Sequence, residues 1–371
     1  MNHDANRVKY FKYKLKYLTL KNQIKNKIKQ LGGNLPTVEP TTKKFLESIN
    51  NAGGKPLYEM KPVDARKVLD DLQIAYSKDL YDFSDVTDIE DVDIPFELNG
   101  KQHNFSIRIV RPKAVKLIKK SKETQLPEVM KLPIVMYFHG GGWVLGNKMT
   151  HNRLIREISY RANVAVVFVN YTPSPEGQYP VPLEQCYEAT KYMVKNAQTY
   201  NLDSENVAVC GDSVGGNFVA VVALLAKQRG DFKIKYQVLM YPVTDASMST
   251  KSYTDFQDGY WLAKKAMAWF WDEYAPDVGS RGVITLSPLN ATIEDLRGLP
   301  PALLIVDEND VLRDEGEAYA HKLMEAGVDI TAVRYLGTVH DFCMLNALAN
   351  TPAPRSAISL VVMNLKERLM S

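Results

Sequence analysis

Cysteine is scarce in this chain, and long hydrophobic runs are absent. The 371 residues include three cysteines, Cys186, Cys210 and Cys343, with no Cys-x-x-Cys pair. This excludes a disulfide framework and a zinc site built from such pairs, and it favours a reducing compartment. The chain contains no run of 18 apolar residues, so the sequence predicts no membrane span. The charged N-terminus lacks the apolar segment of a secretory signal. The sequence therefore predicts an intracellular, cytoplasmic protein.

The charge of the chain is unevenly distributed. Residues 1–33 contain nine basic residues and one acidic residue, which gives this segment a charge of +8. Because the whole chain carries +3, the other 338 residues carry −5. Apolar residues make up 45% of the chain and charged residues 24%, an ordinary globular composition that excludes a mostly disordered or fibrous protein. The chain thus combines a slightly acidic body with a basic arm.

Composition and spacing divide the chain into four parts. In the basic arm, residues 1–33, apolar residues recur at helical spacing between lysines and predict an amphipathic helix. Residues 34–44 are rich in proline and threonine, which is typical of a linker. Residues 45–103 form a further N-terminal segment with a predicted helix between Val63 and Tyr81. Residues 104–371 form the main domain.

In the main domain, short β-rich runs alternate with helical patterns. This alternation predicts an α/β fold with a mainly parallel central sheet and helices on both faces. The predicted strands are Phe105–Val110, Pro133–Phe138, Val164–Asn170, Val207–Cys210, Val238–Tyr241, Ala302–Val306 and Ile330–Tyr335. The predicted helices are 149–162, 181–198, 214–229, 261–273, 314–326 and 354–369. The lysine-rich stretch 111–131 is expected to be a solvated loop.

The strongest functional signal is the segment Gly211-Asp212-Ser213-Val214-Gly215-Gly216. A β-rich run precedes it and an apolar helical pattern follows it, which is the strand–turn–helix context of a G-x-S-x-G nucleophile elbow. Small residues beside the serine let the strand and the helix approach each other. The alternative is a glycine-rich turn that binds phosphate at a helix N-terminus, but no Walker-type lysine follows Ser213.

A second signal is the glycine-rich loop His139-Gly140-Gly141-Gly142-Trp143. Acyl transfer develops an oxyanion, which preorganised backbone N–H groups stabilise. Glycines let the backbone approach a substrate, and an HGGG loop after an early strand forms part of the oxyanion hole in lipases and esterases. We therefore assign the N–H groups of Gly141, Gly142 and Val214 to an oxyanion hole. The alternative is a flexible loop without this role.

A serine nucleophile needs a general base and a carboxylate that orients the base. Two histidines follow Ser213. His321 lies within a predicted helix and is interpreted as a surface residue, whereas His340 follows a strand and a turn, a loop position suited to a base. Among the acids after the preceding strand, Asp310 has the better position for the orienting carboxylate. Asp307, almost still within the strand, remains the alternative.

Together, these motifs resemble the hormone-sensitive-lipase-like branch of the α/β-hydrolases. The HGGGW loop and the GDSVGG elbow carry the resemblance with the segment DVLRDEG at 310–316 and weaker blocks at 175–180 and 241–245. The resemblance implies an α/β-hydrolase fold and a carboxylic-ester hydrolase that uses no cofactor or metal and acts on short- to medium-chain acyl esters. It also implies a cap over the site, built largely from the N-terminal segment 45–103.

The resemblance also assigns roles to individual residues. It places the nucleophile at Ser213, the base at His340 and the orienting acid at Asp310. It places the glycines of the oxyanion hole at Gly141 and Gly142.

Three residues depart from the family pattern. Val311 stands where proline is common, which is expected to loosen that loop. Val214 stands after the serine, where alanine is usual, and its bulk is expected to narrow the acyl pocket. Asp341 stands after the base, where glycine is usual. We expect its negative charge to favour the imidazolium form of His340 and to raise the pKa of that residue.

The basic arm lies outside this family. Its lysine- and tyrosine-rich sequence between Lys12 and Lys21, with Gly32-Gly33 behind it, resembles N-terminal segments of some giant DNA-virus proteins. This resemblance implies packaging in a virion or docking on an anionic partner. The alternative is a solvated amphipathic helix.

Three hypotheses for the function follow. The leading hypothesis is a serine carboxylesterase with a small acyl ester as substrate. The second is a catalytically silent ligand-binding module, as in the plant gibberellin receptors, which resemble this family but lack the catalytic histidine; His340 is present here. The third is a scaffold whose arm docks on nucleic acid or membrane. The natural ester and the oligomeric state, including a homodimer, stay open at this stage.

Overall fold

The computed structural model describes residues 37–113, 118–120, 127–129 and 131–370, so the basic arm and the start of the linker lie outside the described residues. The α-helices are α1 Pro40–Asn51, α2 Pro62–Ala75, α3 Asn152–Ala162, α4 Val181–Asn196, α5 Val214–Arg229, α6 Lys251–Asp255, α7 Lys264–Tyr274, α8 Ile293–Leu296, α9 Arg313–Glu325 and α10 Pro352–Met370. The strands are β1 Thr87–Ile94, β2 Glu97–Leu98, β3 Lys101–Gln102, β4 Phe105–Pro112, β5 Ile118–Lys120, β6 Pro127–Val129, β7 Leu132–Phe138, β8 Ala165–Asn170, β9 Leu202–Asp212, β10 Tyr236–Met240, β11 Ala302–Asn309 and β12 Ile330–Val339.

An eight-stranded sheet in the order β1-β4-β8-β7-β9-β10-β11-β12 forms the centre of the fold. The pairs β1/β4 and β4/β8 are antiparallel, and every pair from β8 to β12 is parallel. The inner strands β7, β8 and β10 are almost completely buried, as expected for strands of a parallel sheet that is covered on both faces. The predicted α/β class, with a mainly parallel sheet flanked by helices, is confirmed.

The direction of the parallel strands fixes where loop residues meet. The carboxyl ends of β7, β9, β11 and β12 point to the same edge of the sheet. In open α/β sheets, this edge is where ligands bind. Ser213, Asp310, His340 and the glycine-rich loop from His139 directly follow the ends of these four strands.

Several predicted boundaries need correction. The sheet begins within segment 45–103, because β1 pairs with β4 as an edge strand, although four of its eight residues are acidic. Helix α1 begins within the predicted linker 34–44, where Pro40 occupies the first helical turn and the Glu39 side chain accepts the Thr42 N–H. The stretch 111–131 is not a plain loop, because β5 and β6 pair within it.

Helix α2 connects the N-terminal segment to the loops at the carboxyl edge of the sheet. Arg66 donates hydrogen bonds to the carbonyls of Val144 and Ser174, both at 2.8 Å. The buried Gln73 donates to the carbonyls of Thr150 at 2.7 Å and Met344 at 3.1 Å. These bonds hold α2 beside the glycine-rich loop. Within the described ranges, no helix is both long and apolar enough to cross a membrane.

Candidate active site

Three loops bring Ser213, His340 and Asp310 together. The Ser213 Oγ lies 2.9 Å from Nε2 of His340, and Nδ1 of the same ring lies 2.7 Å from Oδ2 of Asp310. The second carboxylate oxygen of Asp310 accepts the N–H of Leu312 at 3.0 Å. Because a carboxylate accepts, Nδ1 carries the proton, which leaves Nε2 free to accept from the serine hydroxyl. An unbroken chain of hydrogen bonds thus joins the hydroxyl to Asp310, whereas His321 lies exposed within α9.

The elbow between β9 and α5 holds Ser213 in an unusual backbone conformation. Its φ of 55° and ψ of −121° are rare for a residue with a side chain. The Ser213 N–H donates to the Met240 carbonyl at 2.9 Å, which fixes the turn against β10. A Cβ at Gly211 would overlap the Gly215 carbonyl, and one at Gly215 would overlap the Phe138 carbonyl. The two glycines therefore let the strand, the turn and the helix pack in direct contact.

The glycine-rich loop presents backbone N–H groups beside the serine. Gly141 and Gly142 have φ values of 108° and 63°, and a Cβ at Gly142 would overlap the Phe270 ring. Among the described residues, none accepts a hydrogen bond from the N–H of Gly141, Gly142 or Val214. Gly141 and Gly142 border the same cavity as Ser213. The loop therefore presents unpaired donors at the edge of that cavity, and Val214, the first residue of α5, adds a third close to Ser213.

His139 supports this loop from within the core. Its ring stacks on Tyr171 with centroids 4.1 Å apart and on Phe168 at 5.0 Å. The Tyr171 hydroxyl donates to the His139 carbonyl at 2.9 Å. Burial lowers the pKa of His139 to about 3, so the ring is neutral. The motif identified His139, but its aromatic neighbours lie in or just after β8 and are not visible from sequence spacing.

Asp212 lies beneath the loop and carries a buried polar network that the sequence did not reveal. Its Oδ1 accepts the Tyr137 hydroxyl at 2.7 Å, and its Oδ2 lies 3.2 Å from Nε2 of His151. Burial acts to raise the pKa of Asp212, but His151 and these hydrogen bonds outweigh it and lower the pKa below its usual value. A Cβ at Gly140 would overlap the Asp212 carboxylate. The elbow and the glycine-rich loop are therefore packed against each other through Asp212.

A narrow apolar cavity of about 70 Å³ opens onto Ser213, His340, Gly141 and Gly142. Its other walls are Leu57, Val68, Leu69, Leu145, Trp261, Leu262, Ala266, Met267, Phe270 and Asp341. The Val214 side chain, expected to narrow this cavity, is buried and is not part of its wall, so that expectation was wrong. A larger groove of about 710 Å³ also borders α2 but contains none of the predicted site residues, so size alone would misplace the site.

Asp341 places a second carboxylate beside the imidazole. Its Oδ1 lies 3.5 Å from Nε2 of His340, and its Oδ2 accepts the Trp261 Nε1–H at 3.0 Å. Burial alone would lower the pKa of His340, but the negative charges of Asp310 and Asp341 outweigh it and raise the pKa to about 9. This direction is the one expected from the sequence. The ring of Tyr241 contacts the imidazole edge-on at 5.1 Å and limits its rotation.

In the part of the chain that the structure describes, one cluster has the composition of a metal site, and it overlaps the catalytic candidates. Asp307, Asp310 and His340 offer ligand atoms within 4.8 Å of one another. A metal on His340 would have to displace the bond to Asp310 or the contact with Ser213. We therefore assign no metal to this cluster. Asp307 itself makes no hydrogen bond to His340, so the structure favours Asp310 over Asp307 as the partner of the base.

Comparison with known proteins agrees with this fold. A family model described as an alpha/beta hydrolase fold matches residues 135–344. An alpha/beta hydrolase of Acanthamoeba polyphaga mimivirus is 43% identical over 364 residues, 96% of this chain and 96% of the relative, so the alignment extends into the 33-residue arm. An esterase of Gibberella moniliformis is 33% identical over 273 residues, 73% of this chain and 82% of the relative.

Solved structures give the same picture. The crystal structure of a thermostable esterase from Pseudomonas putida ECU1011 superposes with a TM-score of 0.81 at 44% identity and covers 91% of this chain and 99% of that one. A fungal esterase from Rhizomucor miehei superposes with a TM-score of 0.79 at 39% identity. The match covers 90% of this chain and 98% of that one. The chain therefore belongs to the α/β-hydrolase family, as an esterase-type member whose elbow reads Gly211-Asp212-Ser213-Val214-Gly215.

Proposed function

We propose that this protein is a serine carboxylesterase that hydrolyses esters of short acyl chains. The observation that carries the proposal is the hydrogen-bonded chain Ser213–His340–Asp310, with distances of 2.9 and 2.7 Å, at the end of an apolar cavity. The intact base and the open cavity favour catalysis over a silent ligand-binding module. The relatives named as esterases support the same reaction class.

The reaction would proceed in two halves. Nε2 of His340 takes the Ser213 proton while Oγ attacks the ester carbonyl, and the N–H groups of Gly141, Gly142 and Val214 stabilise the oxyanion. The intermediate collapses as the ester C–O bond breaks, and His340 gives its proton to the leaving alcohol. Water, deprotonated by His340, then attacks the acyl-enzyme. Collapse of the second intermediate releases the carboxylic acid and returns the proton to Ser213.

The size of the cavity supports the preference for short acyl chains. A water-sized group needs about 10–15 Å³ of such space, so about 70 Å³ holds roughly five to seven non-hydrogen atoms. This suits acyl groups from acetyl to butyryl, each counted with its carbonyl. Apart from Asp341, the side chains that line it are mostly apolar, which suits an uncharged acyl chain.

The test replaces Ser213 by alanine and measures the hydrolysis of p-nitrophenyl acetate and butyrate. We expect kcat to fall by about 10⁶, as for the loss of a nucleophile that acts as a unit with its base. Ser356→Ala, an exposed serine on α10, is the matched control and should keep full activity. If Ser213→Ala hydrolyses these esters at the wild-type rate, the proposed function is wrong.

The basic arm has a separate role in this proposal. It contributes no group to the hydrolytic chemistry, and its charge of +8 suits docking on an anionic partner. The mimivirus relative, which aligns into the arm, agrees with the proposed virion association.

A further inference from the structure

Asp307 is a buried carboxyl group that the reaction described above does not use. It lies on β11, three residues before Asp310, and its side chain is completely buried. Its carboxyl oxygens lack a hydrogen-bond donor among the described residues. One of these oxygens nevertheless lies within 4.8 Å of a carboxylate oxygen of Asp310 and of a ring nitrogen of His340. The Asp307 carboxyl group therefore lies close to both Asp310 and His340.

The surroundings of Asp307 oppose a negative charge. Facing it are the acids Asp310 and Asp341 and the Cys343 thiol. The Thr338 hydroxyl from β12 also faces it and would favour a charge, but this hydroxyl donates its hydrogen bond to the Tyr335 carbonyl at 2.7 Å. No lysine or arginine among the described residues pairs with it. A carboxylate in such a place would be an unpaired buried charge beside two like charges. Burial first, and then the charges of Asp310 and Asp341, raise the pKa of Asp307 well above its usual value.

We propose that Asp307 is a positioning residue that stays protonated at neutral pH and donates a hydrogen bond to the Asp310 carboxylate. This inference rests on the proposed function, because Asp310 in turn orients His340. The donor adds to the bonds that Asp310 already accepts from Leu312 N–H and from His340. It therefore fixes the carboxylate and disperses part of its charge, which limits how strongly Asp310 raises the pKa of His340.

Substitution by asparagine distinguishes a protonated Asp307 from an ionised Asp307. Asp307→Asn keeps the shape and a hydrogen-bond donor, so it replaces a neutral acid without changing the charge. If Asp307 were ionised, the same substitution would remove a negative charge close to His340 and lower the pKa of that residue. Asp307→Ala removes the donor in either case.

The first readout is the dependence of kcat/KM on pH with p-nitrophenyl acetate. We expect the acid limb of Asp307→Asn to stay within about 0.3 pH units of wild type, while Asp307→Ala loses about tenfold in kcat and its acid limb moves to higher pH. The control is Asp88→Asn, which replaces an exposed acid on β1 remote from the site and should leave the pH profile unchanged. An acid limb at least one unit lower in Asp307→Asn, or identical profiles for the asparagine and alanine variants, would overturn the proposal.

The second readout does not depend on activity. Because the pKa of Asp307 is higher in the folded than in the unfolded chain, wild type loses stability as the pH rises above about 4 toward the folded pKa. Asp307→Asn lacks this loss. We therefore compare the urea concentrations at the unfolding midpoint at pH 5 and pH 8. The midpoint of the asparagine variant should be higher, relative to that of wild type, at pH 8 than at pH 5. A constant difference contradicts the protonated state, even if the chain proves to lack esterase activity.

Discussion

Replacing Asp341 by asparagine should lower the pH at which ester hydrolysis begins. Asparagine has the same shape, tolerates the positive φ of 65° at this position, and still accepts the Trp261 Nε1–H. The substitution therefore removes a charge and little else. With that charge gone, the imidazolium form of His340 is less stable, so the neutral base forms at lower pH.

The size of this shift follows from the geometry. Asp341 Oδ1 and His340 Nε2 are 3.5 Å apart. At this separation, the Coulomb energy between two unit charges is about 1 kcal/mol at the dielectric constant of water and about 5 kcal/mol at an effective dielectric constant of about 20. Since one pKa unit corresponds to about 1.4 kcal/mol, the pKa of His340 should fall by about one to three units. In wild type, this pKa is about 9.

The assay is the pH profile of kcat/KM for p-nitrophenyl acetate between pH 5 and pH 10. Wild-type kcat/KM should rise with pH until about 9, because the neutral base accumulates as His340 loses its proton. Asp341→Asn should reach its plateau at least one unit earlier and be about tenfold more active than wild type at pH 7. An increase in activity is diagnostic, because damage to the fold would lower the rate.

The control is Asp277→Asn, which removes an exposed acid remote from the site and should leave the profile in place. The reasoning is refuted if the acid limb of Asp341→Asn coincides with that of wild type. It is equally refuted if the wild-type acid limb lies below pH 6, since Asp341 would then exert no effective field on His340.

Two further predictions concern the cavity and the arm. Met267→Ala removes a buried side chain from the cavity wall; it should raise the rate on p-nitrophenyl hexanoate relative to acetate by about tenfold and cost about 2–5 kcal/mol of stability, measured by urea unfolding. Deletion of residues 1–33 should leave kcat for acetate unchanged and abolish salt-sensitive binding to heparin or anionic vesicles. Retained binding after the deletion would refute a docking role for the arm.

The motifs identified three side chains that the structure brings together, but not the cavity walls around them. The glycines of the elbow and the loop could be identified because close backbone packing requires them, and the structure shows those overlaps at Gly211 and Gly215. His340 could be chosen by elimination because one other histidine follows Ser213. Its position after the predicted strand favoured Asp310 over Asp307, and the family resemblance then selected Asp310; the structure places Asp307 within β11 and Asp310 just beyond it.

The cavity walls were beyond sequence reasoning because they come from distant parts of the chain. Leu57 and Leu69 precede the sheet, while Met267 and Phe270 lie on α7 beyond β10. Single apolar residues on amphipathic helices give no signal of which cavity they line. Edge strand β1 was missed for a different reason: only its first and last residues are buried, and its four acidic residues do not follow the alternation typical of a half-buried strand.

The most direct test of the central claim is covalent labelling of the nucleophile. Intact protein incubated with a fluorophosphonate should gain the mass of one phosphonyl group, and peptide mapping should place that group on Ser213. Prior replacement of His340 by glutamine should slow the labelling by several orders of magnitude, because Ser213 then lacks its base. Labelling on a different residue, or no labelling of folded wild-type protein at pH 9, would contradict the account.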